Sequence, residues 1–380
     1  MMLDSLKKAV KVPLIVVFAL IILVLSVADV IVPDKALSEF ENRPLAQKPA
    51  LNLESLFDNE HAQKYEEYVN DQFVLRDEWI SAKALLEAVT LKVENNGILF
   101  GKDGYLFEKQ FTDVDEKFNQ NLGFVTEFAQ KYPQQNITFA IIPSAYQVLR
   151  DKLPLGAISI NQQAYIQNAY TQLHKDGVST VDVLSKLSQH SDEDIYYKTD
   201  HHWTTLGAYY GYVSYCEQKG LTPVSLDTLS KTQVPDFYGT HYSKAKRIDI
   251  KPDTLTYYDV PTTQVTINNE QADGIYDYDK LETRDKYAMF LRGNNAMTVI
   301  KSDNNLNKSD KPTRVLVAKD SYFNSMAGFL TYNYDEVYVV DLRYLSVMSL
   351  AMQQAEFDDV LIIYNFGNFS TDNNISKLKY

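Results

Sequence analysis

Two segments of the chain carry side chains suited to covalent chemistry. One runs Tyr196-Tyr197-Lys198-Thr199-Asp200-His201-His202-Trp203-Thr204, the other Val315-Leu316-Val317-Ala318-Lys319-Asp320-Ser321-Tyr322. A serine hydroxyl is a weak nucleophile until an adjacent base takes its proton. It must also sit where a backbone N–H can face the developing oxyanion. Ser321 follows an apolar run, at the place where a buried parallel strand would open into a helix and supply both exposure and a positive helix end. An imidazole base in turn needs a carboxylate to fix its tautomer and to stabilise the imidazolium. Asp200 and His202 stand two residues apart, ahead of a helix that Thr204 or Thr205 could cap. With Asp200 on one ring nitrogen, the other is free for Ser321. The set Ser321 (nucleophile), His202 (base) and Asp200 (orienting carboxylate) points to acyl transfer through a serine ester, which needs no cofactor and no metal.

Each segment also has a plainer reading. Asp320 or Ser321 could merely cap the following helix. The histidines could be solvated on a loop, or make a structural contact with Trp203. Metal binding by Asp200, His201 and His202 is a further rival. Adjacent histidine side chains diverge, however, and no other His-rich cluster lies near in sequence, so the ligand count is short. The lone cysteine, Cys216, rules out a Cys₂His₂-type zinc site and any intramolecular disulfide.

The elements that must position these residues follow from periodicity. Helical patterns over 114–132, 161–175 and 204–219 alternate with strand patterns over 137–142 and 179–184. Three more apolar strands come late, over 314–318, 336–340 and 359–364, with room between them for crossover helices. Continuous apolar runs such as Val360-Leu361-Ile362-Ile363 suit parallel strands covered on both faces. The alternation predicts an α/β fold with a doubly wound, mostly parallel sheet. Ser321 then sits at the C-terminal edge of that sheet. Its own N–H is the first oxyanion donor expected. Arg343, Asn365 and Ser144 fall at the ends of neighbouring strands and are candidates for a second donor or for shaping the substrate site. The plainer readings are a salt bridge with Asp341 for Arg343 and a turn beside Gly367 for Asn365.

Residues 221–312 break the rhythm and read as an insertion with short β pieces over 253–258 and 264–267, either a surface excursion or a cap facing substrate. Upstream, 97–107 reads as a β-hairpin with Asp103-Gly104 in its turn, and 60–95 is helical in pattern. Residues 33–60, marked by Pro33, Pro44 and Pro49, read as an extended stalk. Lys7, Lys8 and Lys11 precede an uncharged run from Val12 to Ala28, which predicts a membrane anchor with the lysines cytoplasmic and the bulk outside. The competing reading is a signal peptide cleaved after Ser26-Val27-Ala28. The expected organisation is thus an anchor over 1–32, a stalk and helical region over 33–96, and an α/β domain over 97–380. With 50 acidic against 37 basic residues, the net charge of −13 repels nucleic acid. The 27 tyrosines suit a carbohydrate groove and a protein core equally well.

The Asp200-His201-His202-Trp203 segment resembles the motif for which the bacterial DHHW family is named. Thr199-Asp200-His201-His202-Trp203-Thr204 and Lys319-Asp320-Ser321-Tyr322 look like that family's two signature blocks. Glu41-Asn42-Arg43-Pro44-Leu45, the 103–107 hairpin and Asp341-Leu342-Arg343-Tyr344 resemble it too, so the likeness covers nearly all the chain past the anchor. The family is similar to the SGNH hydrolase-like proteins of alginate O-acetylation, which carry an Asp-x-His-Trp motif followed much later by an Asp-Ser block. The resemblance implies an SGNH-like fold and a triad of Asp200, His202 and Ser321, with His201 on the unassigned position. The implied function is an O-acyltransferase or esterase, acetyl being the expected group. A surface polysaccharide is the acceptor it implies, and a membrane-bound O-acyltransferase the partner. The alternatives are a non-catalytic surface glycan-binding or adaptor protein and a metallohydrolase.

Overall fold

The uncharged N-terminal run does form one long helix, Met2–Ile31. Its segment Pro13–Ile31 has a mean hydropathy of 3.1 and none of it is buried. At 1.5 Å per residue those 19 residues span about 28 Å, close to a hydrocarbon core of about 30 Å. The structure is a computed structural model that describes residues 2–50, 59–90, 92–109 and 114–380. Part of the expected stalk, 51–58, and the short stretches at 91 and 110–113 lie outside the described residues.

The chain divides into two compact units, 1–92 with 246–248, and 93–245 with 249–380. In the first, the helical pattern splits into Asn59–Gln72 and Arg76–Val89, broken where Leu75 takes a φ of 56°. The proline-marked segment ahead of it does not run free. Leu37–Ser38 pairs with Arg43–Pro44, and Arg43 holds Asp71 with bonds of 2.6 and 2.8 Å.

The second unit is built on an eight-stranded mixed sheet. Glu336–Val340, Arg314–Lys319, Asp359–Asn365, Asn136–Ile142 and Ser179–Val181 lie side by side in parallel. Met297–Lys301, Gln264–Ile267 and Glu270–Ala272 extend one edge antiparallel, so part of the segment read as an insertion is sheet. Strand side chains alternate between two apolar cores. Val315, Val317, Leu361 and Ile363 face Trp203, Tyr212 and Phe329. Leu316, Ala318, Val360 and Ile362 face Phe118, Val125 and Leu173. Burial on both faces is why these strands lack an apolar–polar alternation.

The helices follow the expected periods. Asp115–Lys131 buries Phe118, Leu122, Val125 and Ala129, a single stripe at helical spacing. Asn161 caps Gln162–Lys175 and Thr204 caps Thr205–Lys219, each accepting from a backbone N–H of the first turn. The expected strand over 179–184 stops at Val181. Asp182 accepts from the Ser185 N–H and starts the helix Val183–Gln189, so a local cap outweighs the β preference of Val183. The late crossovers hold only short turns, Ala327–Leu330 and Met348–Met352, where longer helices were expected. Ile98–Phe100 pairs with Leu106–Glu108 as the predicted hairpin, with Asp103 and Gly104 at φ 57° and 83° in its turn.

Candidate active site

Two neighbouring parallel strands, Arg314–Lys319 and Asp359–Asn365, end at one edge, and the residues at their ends build the corner that carries Ser321. Ser321 begins a 3₁₀ turn, Ser321–Ser325, directly after Lys319 and Asp320. The Asp320 carboxylate makes that corner. It accepts from the Tyr322 N–H at 3.0 Å, the Asn365 N–H at 2.8 Å and the Asn368 amide at 2.7 Å. Asp320 therefore ties two adjacent strand ends together. It leaves the Ser321 N–H at the helix start, where no intrahelical partner exists.

The histidine loop reaches this corner from 119 residues away. Asp253 clamps its root by accepting from the Lys198 N–H, the Thr199 N–H and the Thr199 hydroxyl at 2.6 to 2.9 Å. Trp203, fully buried, donates from its indole to the Tyr322 carbonyl at 2.8 Å. A Cβ on Gly211 would come within 2.7 Å of that indole, so the glycine lets the helix lie flat on the ring. Between clamp and anchor, His202 Nδ1 lies 2.6 Å from Asp200 Oδ1, and its Nε2 lies 2.8 Å from Ser321 Oγ. The structure thus brings the three sequence-predicted residues within one hydrogen bond of each other.

Three further residues complete the geometry, and all come from the 221–312 segment. The Thr240 N–H and hydroxyl donate to Asp200 Oδ2 at 2.7 and 3.1 Å. Tyr287 stacks on the His202 ring at 3.7 Å between centroids and 8° between planes, and its hydroxyl donates to the Ser321 carbonyl at 3.1 Å. Gly239 approaches Asp200 so closely that a Cβ would lie 2.2 Å from the Asp200 Cβ and 2.6 Å from its Cα. Nothing local in the sequence marks Tyr287. Gly239 carries a weak signal, since glycine is the residue that permits close backbone approach. Gly239→Ala should therefore cost about 1–3 kcal/mol of stability, read by urea unfolding, and lower any Ser321-dependent turnover by more than its fold loss accounts for. Unchanged turnover would show that Asp200 tolerates displacement.

The other predicted positions have structural partners. Arg343 is held by Asp341, with bonds of 2.6 and 2.9 Å. Asp341 also pairs with the buried Lys319 at 3.2 Å, whose ammonium burial pushes down to about 8 against the pull of that carboxylate. The Asn365 side chain accepts from the Gly367 N–H and donates to the Ile142 carbonyl. The Ser144 hydroxyl accepts from Gln162 at 3.1 Å. Asn365 and Ser144, with His201, Tyr322, Asn368 and His241, line a cleft of about 280 Å³ that takes in the chain neighbours of His202 and Ser321 but neither of those two residues. Arg343 is not among its lining residues.

Electrostatics set the resting protonation. Burial opposes charge on Asp200, but His201, His202 and the bonds from His202 and Thr240 outweigh it and hold the carboxyl well below the usual range. Burial, reinforced by His201, pushes the His202 ring down to about 4 against the pull of Asp200. The pair rests as carboxylate and neutral imidazole, the form a general base requires. Protonation disables that base, so Ser321-dependent acylation should hold from neutral pH to about 5 and fall only near pH 4. An unshifted imidazole would lose it near 6.5. The pH profile of the acylation rate with a chromogenic ester checks this, and an acid limb at 6 to 7 would contradict it.

The ligand atoms of Asp200, His201 and His202 lie within 4.8 Å of one another, close enough to hold an ion. The lone pairs of Asp200 and His202 are engaged elsewhere, which leaves only His201 Nε2 to offer. Asp200 accepts the His202 and Thr240 bonds, and His202 Nε2 faces Ser321. The Thr240 hydroxyl gives its hydrogen to Asp200, so it must accept one from His201 Nδ1, 2.7 Å away. A metal would have to break these bonds, and the donor set fits it poorly.

A mixed α/β sheet with Ser321, His202 and Asp200 joined at its C-terminal edge defines the class of α/β proteins with a serine–histidine–carboxylate constellation. The chain belongs to the DHHW family: the family model described as DHHW protein matches residues 102–340. A search of curated proteins found no match. Among solved structures, a DHHW family protein from Eubacterium siraeum is similar at a TM-score of 0.62 and 24% identity, over 75% of this chain and 95% of that one. Bacillus cereus PatB1 is similar at a TM-score of 0.60 and 22% identity, over 74% of this chain and 99% of that one, and has also been solved with a sulfonyl adduct. The O-acetyltransferase domain of Pseudomonas putida AlgJ is more distant, at a TM-score of 0.47 and 16% identity over 74% of this chain and 98% of that one.

Proposed function

We propose that the protein is a membrane-tethered, extracytoplasmic serine O-acyltransferase that moves an acyl group, acetyl first among candidates, onto a cell-surface polysaccharide or glycopolymer. The observation that carries this reading is the unbroken line from Asp200 through His202 to the Ser321 hydroxyl, with bonds of 2.6 and 2.8 Å. Ser321 Oγ attacks the acyl carbonyl while its proton passes to His202 Nε2. Asp200 stabilises the imidazolium, and the Ser321 N–H faces the oxyanion. His202 returns the proton to the departing group, leaving an acyl ester on Ser321. An acceptor hydroxyl then gives its proton to His202, attacks the ester, and restores the Ser321 hydroxyl as His202 reprotonates it. Water in the acceptor's place makes the same site an esterase. Asn365 and Ser144 act as walls of the substrate cleft, and Arg343 supports the sheet edge through Asp341. The helix Met2–Ile31 serves as the anchor, which holds the site near a membrane-bound O-acyltransferase supplying the acyl group and raises its effective concentration.

The test is covalent labelling of the full chain by a fluorophosphonate or sulfonyl fluoride, with the adduct mapped by mass spectrometry, followed by acetyl transfer from a chromogenic ester to candidate glycans. A single adduct on Ser321 and transfer dependent on it are expected. Glycan binding by a protein that never labels would point to an adaptor. Stoichiometric zinc with activity lost to chelator would point to a metallohydrolase.

A further inference from the structure

His241 plays no part in the chemistry described above, yet it sits in the wall of the cleft that His201 and Tyr322, the chain neighbours of His202 and Ser321, also line. It lies on the short helix Thr240–Ala245 and is 3% exposed. Its Nδ1 is 3.1 Å from the Leu106 carbonyl. A carbonyl only accepts, so Nδ1 carries the hydrogen and Nε2 of the neutral ring is a bare acceptor. Burial, with His201 adding to it, pushes this ring down to about 4, so it is neutral near pH 7. Nε2 has no hydrogen-bond partner among the described residues. A buried acceptor without a donor is costly and rare, and at a cleft it calls for a ligand that brings the donor.

The chemistry of the missing donor discriminates between the two substrates. An acetyl group offers a methyl and a carbonyl oxygen, and neither donates. A sugar offers hydroxyls on every ring, and an N-acetyl sugar adds an amide N–H. The cleft otherwise mixes aromatic faces, from Tyr146 and Tyr322, with polar groups from Ser144, Asn368 and Thr371. Its volume of about 280 Å³ is at the small end for a site that encloses one small molecule. His201 stands between the two ends of the site, its ring centroid 3.8 Å from His202 and 6.1 Å from His241. His241 is one imidazole removed from the reacting base.

We propose that this cleft is the acceptor subsite, and that His241 Nε2 accepts a hydrogen bond from a hydroxyl or amide N–H of the sugar to be acylated. The inference rests on the acyl-transfer reading and names the residue that seats its second substrate.

The test uses the full chain in detergent, labelled with ¹⁵N at its histidine rings and titrated with chitotetraose and with cellotetraose. The His241 Nε2 resonance, assigned by its loss in His241→Phe, should move upfield as one of these saccharides binds. His241→Phe should weaken that binding about tenfold. His241→Gln, which places an amide oxygen near the Nε2 position, should stay within about threefold of wild type. Four outcomes overturn the proposal: neither saccharide binds, binding leaves Nε2 unmoved, His241→Phe binds as wild type, or Gln and Phe weaken binding equally. The Nε2 shift is read on the unmutated protein and stands even where the Phe variant folds poorly. Fluorophosphonate labelling of the same preparation separates the two ideas. Saccharide binding without labelling sinks acyl transfer and leaves the subsite, whereas labelling without binding does the reverse.

Discussion

Ser321→Ala should abolish fluorophosphonate labelling and lower ester turnover by a factor on the order of 10⁴ or more, while leaving thermal stability close to wild type. The hydroxyl is half-buried, and its loss leaves the Asp320 corner untouched, because that corner is built from the Tyr322, Asn365 and Asn368 donors. His202 loses a partner at Nε2 but keeps the Asp200 bond and the Tyr287 stack. Any residual rate reflects binding and the oxyanion donors acting on water. Equal ester turnover in wild type and variant would remove the serine from the mechanism altogether.

Asp200→Asn tests the other end of the line and should cost about 10⁴-fold in acylation, with a second, separable effect on stability. Asp200 accepts from four donors: the His202 N–H, His202 Nδ1, the Thr240 N–H and the Thr240 hydroxyl. An asparagine must turn its NH₂ toward one pair of them. Facing His202, it opposes that residue's backbone N–H, forces the ring proton onto Nε2 and leaves Ser321 without a base. Facing Thr240, it sets donor against donor in a buried place, at a cost of about 1–3 kcal/mol. Pre-steady-state acylation and urea unfolding read the two losses separately. A variant that acylates at wild-type speed would show that His202 finds its tautomer without Asp200.

Much of this site was legible before the fold was known, and the reason is local. Asp200, His202 and Thr204 lie within five residues, and their roles depend on a loop entering a helix, which capping chemistry announces. The strand ends behind Ser321 and Asn365 were visible because Arg314–Lys319 and Asp359–Asn365 are buried on both faces and therefore read as apolar runs. Where expectation and structure part, a tertiary or capping term outweighs propensity. Asp182 turns the 179–184 strand into a helix start, and Arg43 binds the proline-marked segment back to Asp71.

Tyr287, Gly239, Thr240 and His241 had no comparable signal. Each acts through a residue to which it is not local. Thr240 bonds Asp200 from 40 positions away and His241 bonds the Leu106 carbonyl from 135. The irregular composition of 221–312 showed that the stretch differs from the rest, yet composition says nothing about which of its side chains returns to the sheet edge.

The amino-acid sequence by itself determined which groups are available for chemistry here, a nucleophile, a base and an orienting carboxylate, and the alternating framework whose strand ends could present them. Those are properties of residue type and of short-range period, which neighbours along the chain suffice to specify. Only the tertiary structure decided that Ser321 stands 2.8 Å from His202, that Tyr287 and Thr240 hold the base and its carboxylate, and that His241, a residue lining the cleft, keeps a buried acceptor without a partner. Distances across 40 to 135 residues are set by how two buried faces of one sheet pack, and that depends on the whole chain at once.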